Sequence, residues 1–466
     1  MANHLRILCL LLALVGLNAC MPQLEVPHLE QRLEYTPEVE ARYTINEQWW
    51  QAYGEPQLNK LVDTALSRNA DLAKAAITIN KALYTARRSG ADLLPEFSAS
   101  SQAGYNRALG DMRGDPFTGG RPSRTTREYS ATTGVSYEVD LWRKLADTAS
   151  AREWEYLATV EDKDATRLVL VTSTTDFYFE LMYLHSAMTA SRASIDILRN
   201  LYNIISNRYE TGKVSGLERE QAAQAVLTEE KRLYSLDIRK SEVENSLRLL
   251  LQYEPKTPLG LTFDKEIGHA AEAVNLNVPM AVLANRPDLK AAEYRIEGAF
   301  KDVSAAYKAF YPSITLSAAL EGSSSESASS VMDMPFTSGA VRVNLPFLQW
   351  NKVKWNAKIS EADYELLLLE FEKKLNEALN EVSMAYTYYA NASVNLRNAE
   401  DRYVHARNIS DIYQQQYEQG KRELSDWLEA MNTMWAAWID VLENRYQTLR
   451  RNNEVYKTMA GGYESV

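Results

Sequence analysis

The sequence predicts an α+β membrane protein in which long α-helical hairpins of coiled-coil type continue from transmembrane β strands. Two stretches without Gly or Pro, Arg143–Thr211 and Asn351–Gln419, are each about 69 residues long. At ~1.5 Å per residue each can form a helix of roughly 100 Å. Each stretch begins beside a Trp and ends in Tyr-x-x-Gly, which indicates two internal repeats. Four segments of about ten residues with alternating apolar side chains are long enough to cross a bilayer as tilted strands.

The N-terminus has the features of a secretory signal. An apolar run over residues 7–17 is too short to span a bilayer as a helix of the mature protein, but it suits the core of a signal peptide. Residues 1–19 are therefore predicted to be removed. The residues on the two sides of the cleavage site, Leu-Asn-Ala before it and Cys20 after it, then determine the N-terminus of the mature chain.

Cys20 is the predicted lipid attachment site. It ends the sequence Leu-Asn-Ala-Cys, which resembles the bacterial lipobox, whose cysteine is acylated and becomes the new N-terminus. Cys9 lies in the removed segment, so Cys20 is the single cysteine of the mature chain and cannot form an internal disulfide. The alternative is ordinary cleavage after Ala19 with Cys20 incidental. Met21 in place of Asp favours export to the outer membrane, by analogy with lipoprotein sorting in Gram-negative bacteria.

After the cysteine the chain is predicted to form a tether and two copies of one unit. Prolines scattered between residues 21 and 44 indicate an extended tether, and Trp49-Trp50 then precede a helix with leucines at helical spacing. The predicted segments are the signal peptide 1–19, the lipid-anchored tether and first short helix 20–60, repeat 1 at 61–254 (strands about 97–141, long helix 143–211, return helix 213–253), the connector 255–279, repeat 2 at 280–460 (strands about 313–348, long helix 351–419, return helix 421–459) and the tail 461–466.

The two repeats correspond position by position. Pro95 and Pro312, which end the incoming helices, are related by a shift of about 217, and Trp142 and Trp350 by a shift of about 208. Both incoming helices and both long helices therefore have matching lengths. The missing nine or so residues come from the loop between the strands, which is polar in the first repeat, 109–127, and Ser-rich in the second.

The strand segments suit a wall between lipid and water. Over residues 128–141 the odd positions are Tyr, Ala, Thr, Val, Tyr and Val, whereas the even positions are small or polar. Four strands cannot close a barrel, and open edges are not tolerated in lipid, so protomers must pool their strands. Two protomers would give about eight strands and three about twelve. The alternative is a pair of soluble hairpins on a periplasmic protein.

Composition argues against several other classes. A net charge of −11 argues against binding to nucleic acid, which usually requires a basic face. We find no catalytic constellation and no Gly-rich phosphate loop, and thus predict neither enzymatic activity, nor a cofactor, nor a metal site. The histidines His28, His185, His269 and His405 are scattered, and His185 and His405, which lie in helical patterns, are expected to be surface or packed residues instead of metal ligands.

Together these motifs resemble the TolC family of outer-membrane channels, specifically its lipid-anchored members that serve resistance-nodulation-division multidrug pumps. The resemblance covers nearly the whole chain and is specific only in combination. Its strongest parts are the lipobox with Trp49-Trp50, Leu283-x-x-Arg286-Pro287-Asp288-Leu289, Tyr311-Pro312, Tyr137-Glu138-Val139-Asp140-Leu141-Trp142, Leu345-Pro346-Phe347 and Glu381-Val382.

The resemblance implies a homotrimer with four strands per protomer in a twelve-stranded β-barrel, continuous with an α-helical barrel that extends through the periplasm. It implies a passive exit duct for drugs or other small molecules, supplied by a periplasmic membrane-fusion adaptor and an inner-membrane pump. A channel for type I protein secretion or metal-ion efflux is the alternative within the class. A lipid-anchored periplasmic coiled-coil scaffold without a pore is the alternative from another class.

The resemblance also implies a gate where the hairpins turn. Gly212 and Gly420 are the predicted turns, and the tip of the second hairpin resembles the family's periplasmic iris. The alternative is a surface ion pair between Arg422 and Asp426, worth about 0.3 to 0.5 kcal/mol. The predicted gate residues are Tyr417, Arg422, Asp426, Glu429 and, in the first hairpin, Glu218.

One departure from the family pattern concerns the step from strand to long helix. Relatives commonly have Gly just after the Trp, whereas this chain has Arg143 and Asn351. Because Asn adopts a left-handed backbone at smaller cost than Arg, the geometry at these two junctions is the part of the fold that the sequence leaves open.

Overall fold

The computed structural model describes residues 43–46, 48–107, 125–268, 280–333 and 335–465. The predicted signal peptide, Cys20 and most of the tether lie outside these residues, as does most of the loop between the first two strands.

Seven α-helices and six strands follow one another in the described chain. The helices are α1 Pro56–Arg68, α2 Ala70–Ala91, α3 Lys144–Glu210, α4 Gly216–Leu250, α5 Pro287–Lys308, α6 Trp350–Glu418 and α7 Leu424–Thr458. The strands are β1 Tyr43–Asn46, β2 Glu96–Arg107, β3 Thr125–Val139, β4 Ser313–Ser324, β5 Phe336–Asn344 and β6 Gly462–Ser465. The long helices α3 and α6 begin and end within a few residues of the stretches that lack Gly and Pro.

Four of the strands form one antiparallel sheet in the order β2-β3-β4-β5. β3 and β4 join the two repeats, with Val139 opposite Ile314, and β2 and β5 are the edges. This sheet belongs to one of two compact units, which comprises residues 79–159 and 292–370. Every residue of β5 is exposed in the single chain, and as an edge strand β5 leaves backbone groups unpaired along one side.

Helix packing in this unit includes a buried charge on α3. Asp147 is 7% exposed, accepts a hydrogen bond from Ser304 Oγ at 2.6 Å and forms an ion pair with Lys308 of α5. The backbone of α3 approaches α5 closely at Gly298, where an added Cβ would lie 3.2 Å from the Ala151 carbonyl oxygen. A buried carboxylate is tolerated here because a hydroxyl and an ammonium group both satisfy it.

The second unit contains, among the described residues, positions 43–46, 48–78, 160–268, 280–291 and 371–465, and it has an extensive hydrophobic core. Trp50 and Leu58 from the start of the chain pack with Tyr178 of α3, Leu247 of α4 and Tyr446 of α7. β1 pairs with β6, so the two ends of the described chain meet in a two-stranded sheet. The Trp pair noted in the sequence is therefore a core element.

The apolar seam of α6 has a strict coiled-coil spacing. Its buried positions alternate by four and three residues, which is the 3.5-residue repeat that keeps one seam facing its neighbours. Leu379 and Tyr386, which lie next to the seam at helical spacing, are only half-buried. The buried positions are Phe371, Leu375, Ala378, Val382, Ala385, Tyr389, Ala392, Leu396 and Ala399.

The two strand-to-helix junctions have different backbone conformations. The left-handed one is at the Arg, although Asn adopts that conformation at smaller cost. Arg143 has a φ of 61°, in the left-handed region, whereas Asn351 lies inside α6 with helical backbone. Asp140 then caps α3, because its carboxylate accepts from the amides of Leu145 at 3.1 Å and Ala146 at 2.8 Å. Tertiary pairing of β3 with β4 fixes this turn regardless of what residue 143 prefers.

Candidate functional site: the tips of the two helical hairpins

Both hairpins turn through the same backbone motif. Gly212 and Gly420 each have a φ of 70°. The amide of the residue after each glycine donates to a carbonyl five positions earlier, Lys213 to Arg208 and Lys421 to Gln416, at 2.8 Å. This is the Schellman ending of a helix, which requires a left-handed residue that glycine supplies without steric cost.

The return helices begin differently at the two tips. At the first tip Ser215 and Glu218 form a capping box, with Ser215 Oγ accepting from the Glu218 amide and Glu218 Oε1 accepting from the Ser215 amide, both at 3.4 Å. At the second tip the N-cap is Glu423, whose side chain makes no capping hydrogen bond. The spacing Ser-x-x-Glu was available in the sequence as a signal for this cap.

The 208-residue offset places Glu218 and Asp426 at equivalent positions, six residues after their glycines. Asp426 uses its carboxylate for an ion pair with Arg422, with 3.1 Å between Nη1 and Oδ2, instead of for a cap. The structure therefore gives the two predicted acidic positions different local partners. Glu218 supports its own helix start, and Asp426 binds the cation that precedes its helix.

Arg422 is held from three sides by its own hairpin. Its Nε donates to Gln416 Oε1 at 2.9 Å, and its guanidinium carbon lies 4.2 Å from the centre of the Tyr413 ring. The Arg422 and Asp426 side chains are 38% and 40% exposed, so their ion pair alone contributes a few tenths of a kcal/mol. The stacking and the amide contact fix the guanidinium in place more than the charge pair does.

Tyr417 connects the two tips. Its ring stacks on Trp427 at 5.4 Å between centroids. Burial raises the pKa of the Tyr417 hydroxyl, the nearby Glu218 carboxylate of the first hairpin raises it further, and Arg208 opposes the shift. Of the predicted gate residues, Tyr417 of the second hairpin therefore lies within electrostatic range of the Glu218 carboxylate of the first, whereas Arg422 and Asp426 form an ion pair within one hairpin.

An apolar cluster lies behind the tips and joins the hairpins of one chain. Leu201 and Ile205 of α3 pack with Ala222 of α4 and with Leu424 and Leu428 of α7. The tips are therefore supported by a shared core, and a change in one hairpin end is transmitted to the other by contact.

Glu429 lies beside this cluster, because it lines the same crevice as Leu428 of the cluster. It is exposed and lines a crevice of about 530 Å³ between the hairpins, with Ser425, Gln221 and Trp435. Glu229 also lines the crevice; it is 2% exposed, accepts a hydrogen bond from Ser191 Oγ at 2.7 Å and forms an ion pair with Arg232. Glu229 carries no periodic signal in the sequence and was not anticipated.

The described residues contain no group of three or more His, Cys, Asp or Glu side chains placed to hold a metal ion. His185 lies 5.8 Å from the ring of Phe263, and burial, followed by Lys240 and Arg192, lowers its pKa. It is a packed residue of α3. None of the helices in the described ranges combines the length and the hydropathy needed to cross a membrane.

Known proteins resemble this chain in both sequence and architecture. The model of the outer membrane efflux protein family matches residues 61–251 and 278–461. Toxin and drug export protein A of Aggregatibacter actinomycetemcomitans is 39% identical over 426 residues, 91% of each chain. The probable outer membrane lipoprotein SilC of Salmonella typhimurium is 27% identical over 425 residues, 89% of this chain and 88% of that protein. The Campylobacter jejuni CmeC outer membrane channel superposes with a TM-score of 0.81 at 22% identity, covering 95% of both chains.

The repeated unit of incoming helix, strand pair and long helical hairpin defines an outer-membrane channel of the class in which a β-barrel continues into a helical barrel. The chain belongs to the outer membrane efflux protein family. Members of this family are trimeric exit channels, not enzymes, and work with periplasmic adaptors and inner-membrane pumps. The predicted family, fold class and outer-membrane location with a periplasmic extension are confirmed.

Proposed function

We propose that three copies of this chain form a passive exit duct for drugs or other small molecules, which a periplasmic membrane-fusion adaptor and a resistance-nodulation-division pump supply. The observation that carries the proposal is the pair of matched hairpin tips, joined within one chain by Tyr417 and the apolar cluster. A duct that opens at these tips can be closed by a small movement of the helix ends.

The proposed gate depends on charge as well as on packing. In a threefold assembly Asp426 and Glu429 each occur three times around the axis. Like carboxylates in a narrow lumen repel one another and attract cations. Arg422 offsets part of this charge and is itself fixed by Gln416 and Tyr413. Removing either Arg422 or Asp426 breaks the ion pair that holds the start of the second return helix at the tip, which favours the open state.

The cargo is proposed from the names of relatives. It is also proposed from the tip residues named above, which do not form a binding site specific for one ligand. The name of the Aggregatibacter relative includes both toxin and drug export, which supports drug efflux and also keeps protein secretion as the alternative function. Metal-ion efflux is the other alternative. Deletion of the gene, followed by a panel of drug susceptibility, metal tolerance and toxin secretion assays, separates the three. Loss of drug resistance alone supports the proposal, and loss of either other phenotype alone contradicts it.

The lipid on Cys20 remains part of the proposal. The name of the Salmonella relative describes a probable outer membrane lipoprotein, which supports acylation here. Mass spectrometry of the mature N-terminus distinguishes a diacylated cysteine from an unmodified Cys20 after ordinary cleavage. A thiol that reacts with maleimide in the mature protein would contradict lipidation.

Planar bilayers separate a duct from a coiled-coil scaffold. The purified full-length protein is expected to give discrete current steps, because a closed strand wall around a water-filled lumen conducts ions. A scaffold without a pore gives no steps at any concentration. Heat-denatured protein from the same preparation is the control, because any current that survives heating comes from contaminating porins that resist the treatment.

A further inference from the structure

One side of the four-stranded sheet is uncharged over most of its length. It comprises the odd-numbered positions of β2, β3 and β5 and the even-numbered positions of β4, which the pairing aligns, as where Phe97 lies opposite Val135. From Phe97 to Ala103 and at the positions aligned with them, this side has no charged side chain, whereas the opposite side carries charges such as Glu138 and Arg342. Because the strands of this family cross the outer membrane, the uncharged side is the one that faces lipid.

Aromatic side chains mark both ends of this uncharged band. Phe97 is 81% exposed at the end of β2 that follows the helix α2, and Tyr105 is 63% exposed near the other end. Tyr129 of β3, on the same side, lies opposite Ala103. Between Phe97 and Tyr105 a strand tilted by about 40° rises roughly 20 Å along the membrane normal, which is close to the ~25 Å between the aromatic girdles of transmembrane barrels.

Two arginines lie at the Tyr105 end of the lipid-facing side. Arg127 is opposite Tyr105, and Arg107, two positions further along β2, is opposite Thr125. Arg107 and Arg127 are therefore diagonal neighbours, and their long side chains are within reach of each other. Both are exposed, and neither forms an ion pair with a described residue. The adjacent Glu128 belongs to the opposite side of the sheet, because successive residues of a strand alternate. Two cations without a counter-charge on their own side leave a site for an anion.

The end of the sheet that carries the two arginines faces the cell exterior. The helices α2 and α3 join β2 and β3 at the opposite end. In this family the helical part extends into the periplasm, so the arginines lie at the level of the outer leaflet. That leaflet of the outer membrane consists mainly of lipopolysaccharide, a glycolipid with phosphate groups beside its acyl chains. Cations just beyond the apolar band are therefore at the depth of these phosphates.

The second repeat has no such pair at the equivalent end. The shift of about 217 between the repeats places Ser324 at the position of Arg107. The Ser324 hydroxyl is 2.7 Å from that of Ser330, so it is paired within its own loop. The sequence between Ser324 and β5 contains acidic residues but neither Lys nor Arg. In a chain with a net charge of −11, the two arginines are thus a local feature of the first strand pair.

We propose that Arg107 and Arg127 bind phosphate groups of lipopolysaccharide in the outer leaflet of the outer membrane. Guanidinium groups form paired, charge-assisted hydrogen bonds with phosphate oxygens, and two diagonal neighbours can hold one headgroup together. The uncharged band contacts the acyl chains, and Tyr105 lies at the boundary between the chains and the sugars. The bound lipid fixes the depth of this end of the sheet in the membrane. This role is separate from the duct and its gate.

Titration of the purified full-length protein with lipopolysaccharide, followed by native mass spectrometry, tests this binding. The apparent dissociation constant should rise about fivefold for Arg107→Gln or Arg127→Gln and about 30-fold for the double variant, because each change removes one cation from an anionic lipid surface. Arg342→Gln is the matched control, since Arg342 is exposed on the opposite side of the same sheet. It should bind the lipid as the unaltered protein does. A double variant with unaltered affinity would overturn the proposal.

Three further ligands identify the source of the phosphate. Lipopolysaccharide whose phosphates have been removed enzymatically should bind the unaltered protein about 30-fold more weakly, and equal binding would contradict a phosphate contact. Phosphatidylglycerol, with one phosphate, should bind more weakly than intact lipopolysaccharide, and equal affinity would show an unselective anionic-lipid surface instead. Inorganic pyrophosphate should not displace the lipid, because the acyl chains contribute to binding. Displacement would show a site for free phosphate and refute the lipid.

Conductance separates this inference from the proposed duct. Neither arginine lies at the hairpin tips, so the double variant should give the same current steps as the unaltered protein in phospholipid bilayers. Absence of current in both proteins would contradict the duct and leave the lipid site standing. Equal affinity of both proteins for lipopolysaccharide would contradict the lipid site and leave the duct standing.

Discussion

Trp49 donates its indole N–H to Asn453 Oδ1 at 3.1 Å, which joins the start of the described chain to its last long helix across 404 positions of sequence. Asn453 in turn donates to the Thr172 carbonyl oxygen at 2.9 Å and to Asp176 Oδ1 at 2.8 Å. The fully buried side-chain amide of Asn453 thus holds the three elements together. The Asp176 carboxylate that accepts its hydrogen bond is the titratable group of this network.

Asp176 should make the protein less stable as pH rises from about 4 to about 7. Burial raises its pKa to about 6, whereas Asn453 and Arg450 oppose the shift only in part. The folded state then binds more protons than the unfolded state in this range, so stability falls by about 3 kcal/mol as the carboxyl ionises. Asp176→Asn should remove this slope. We expect the difference in thermal midpoint between variant and unaltered protein to grow with pH; a constant difference contradicts it.

Arg143→Gly should stabilise the protein. Arg143 holds a left-handed backbone at a φ of 61°, and relief of that conformation is worth about 1 kcal/mol. Asn351→Gly is the matched control at the equivalent position, where the backbone is helical and glycine brings no gain. Thermal unfolding of both variants checks this. A lower midpoint for Arg143→Gly would mean that its side chain, not its backbone, determines the junction.

Ser215→Ala should weaken the first hairpin tip by about 1 kcal/mol, because it removes half of the capping box with Glu218. Glu423→Ala, at the equivalent N-cap of the second hairpin, should cost much less since that side chain makes no capping hydrogen bond. Hydrogen exchange of the first turns of α4 and α7 measures the two effects separately. Equal loss of protection at both tips would contradict the assignment.

Asp147→Ala should destabilise the unit that contains the sheet by about 3 kcal/mol, because it leaves Lys308 without its buried partner. Lys144→Ala removes a more exposed ion pair with Glu138 and should cost about 0.5 kcal/mol. Combining Asp147→Asn with Lys308→Met should recover most of the loss. Thermal midpoints of these variants test the order, and a double variant no better than Asp147→Ala would refute it.

The arrangement of elements that are far apart in the sequence was predictable where the sequence has a repeated pattern. The lengths of α3 and α6, the twin repeats and the Gly212 and Gly420 turns follow from the absence of helix breakers and from matched spacing. The sheet order followed only once the structure was known, because alternation identifies a strand but not its neighbour.

Single polar contacts were not predictable in the same way. Asn453 and Glu229 are isolated buried polar residues, and nothing in their local sequence distinguishes them from solvated positions. At Arg143 strand pairing and the Asp140 cap override local backbone preference. At the tips the sequence suggested the residues of the candidate gate, but it could not tell that Tyr417 lies within electrostatic range of Glu218 while Arg422 contacts its own hairpin.

Conductance of the unaltered protein and of Arg422→Ser in planar bilayers tests the central claim most directly. A duct gated at the tips should show larger or longer current steps when Arg422 is replaced, because the Asp426 carboxylate loses its cation and Tyr413 and Gln416 lose their contact. Asp426→Ala should also increase the current. Arg402→Ser, which removes an equal charge from an exposed pair with Asp440 outside the tips, should not. Unchanged currents in both tip variants would contradict the gate, and no current in any variant would contradict the duct.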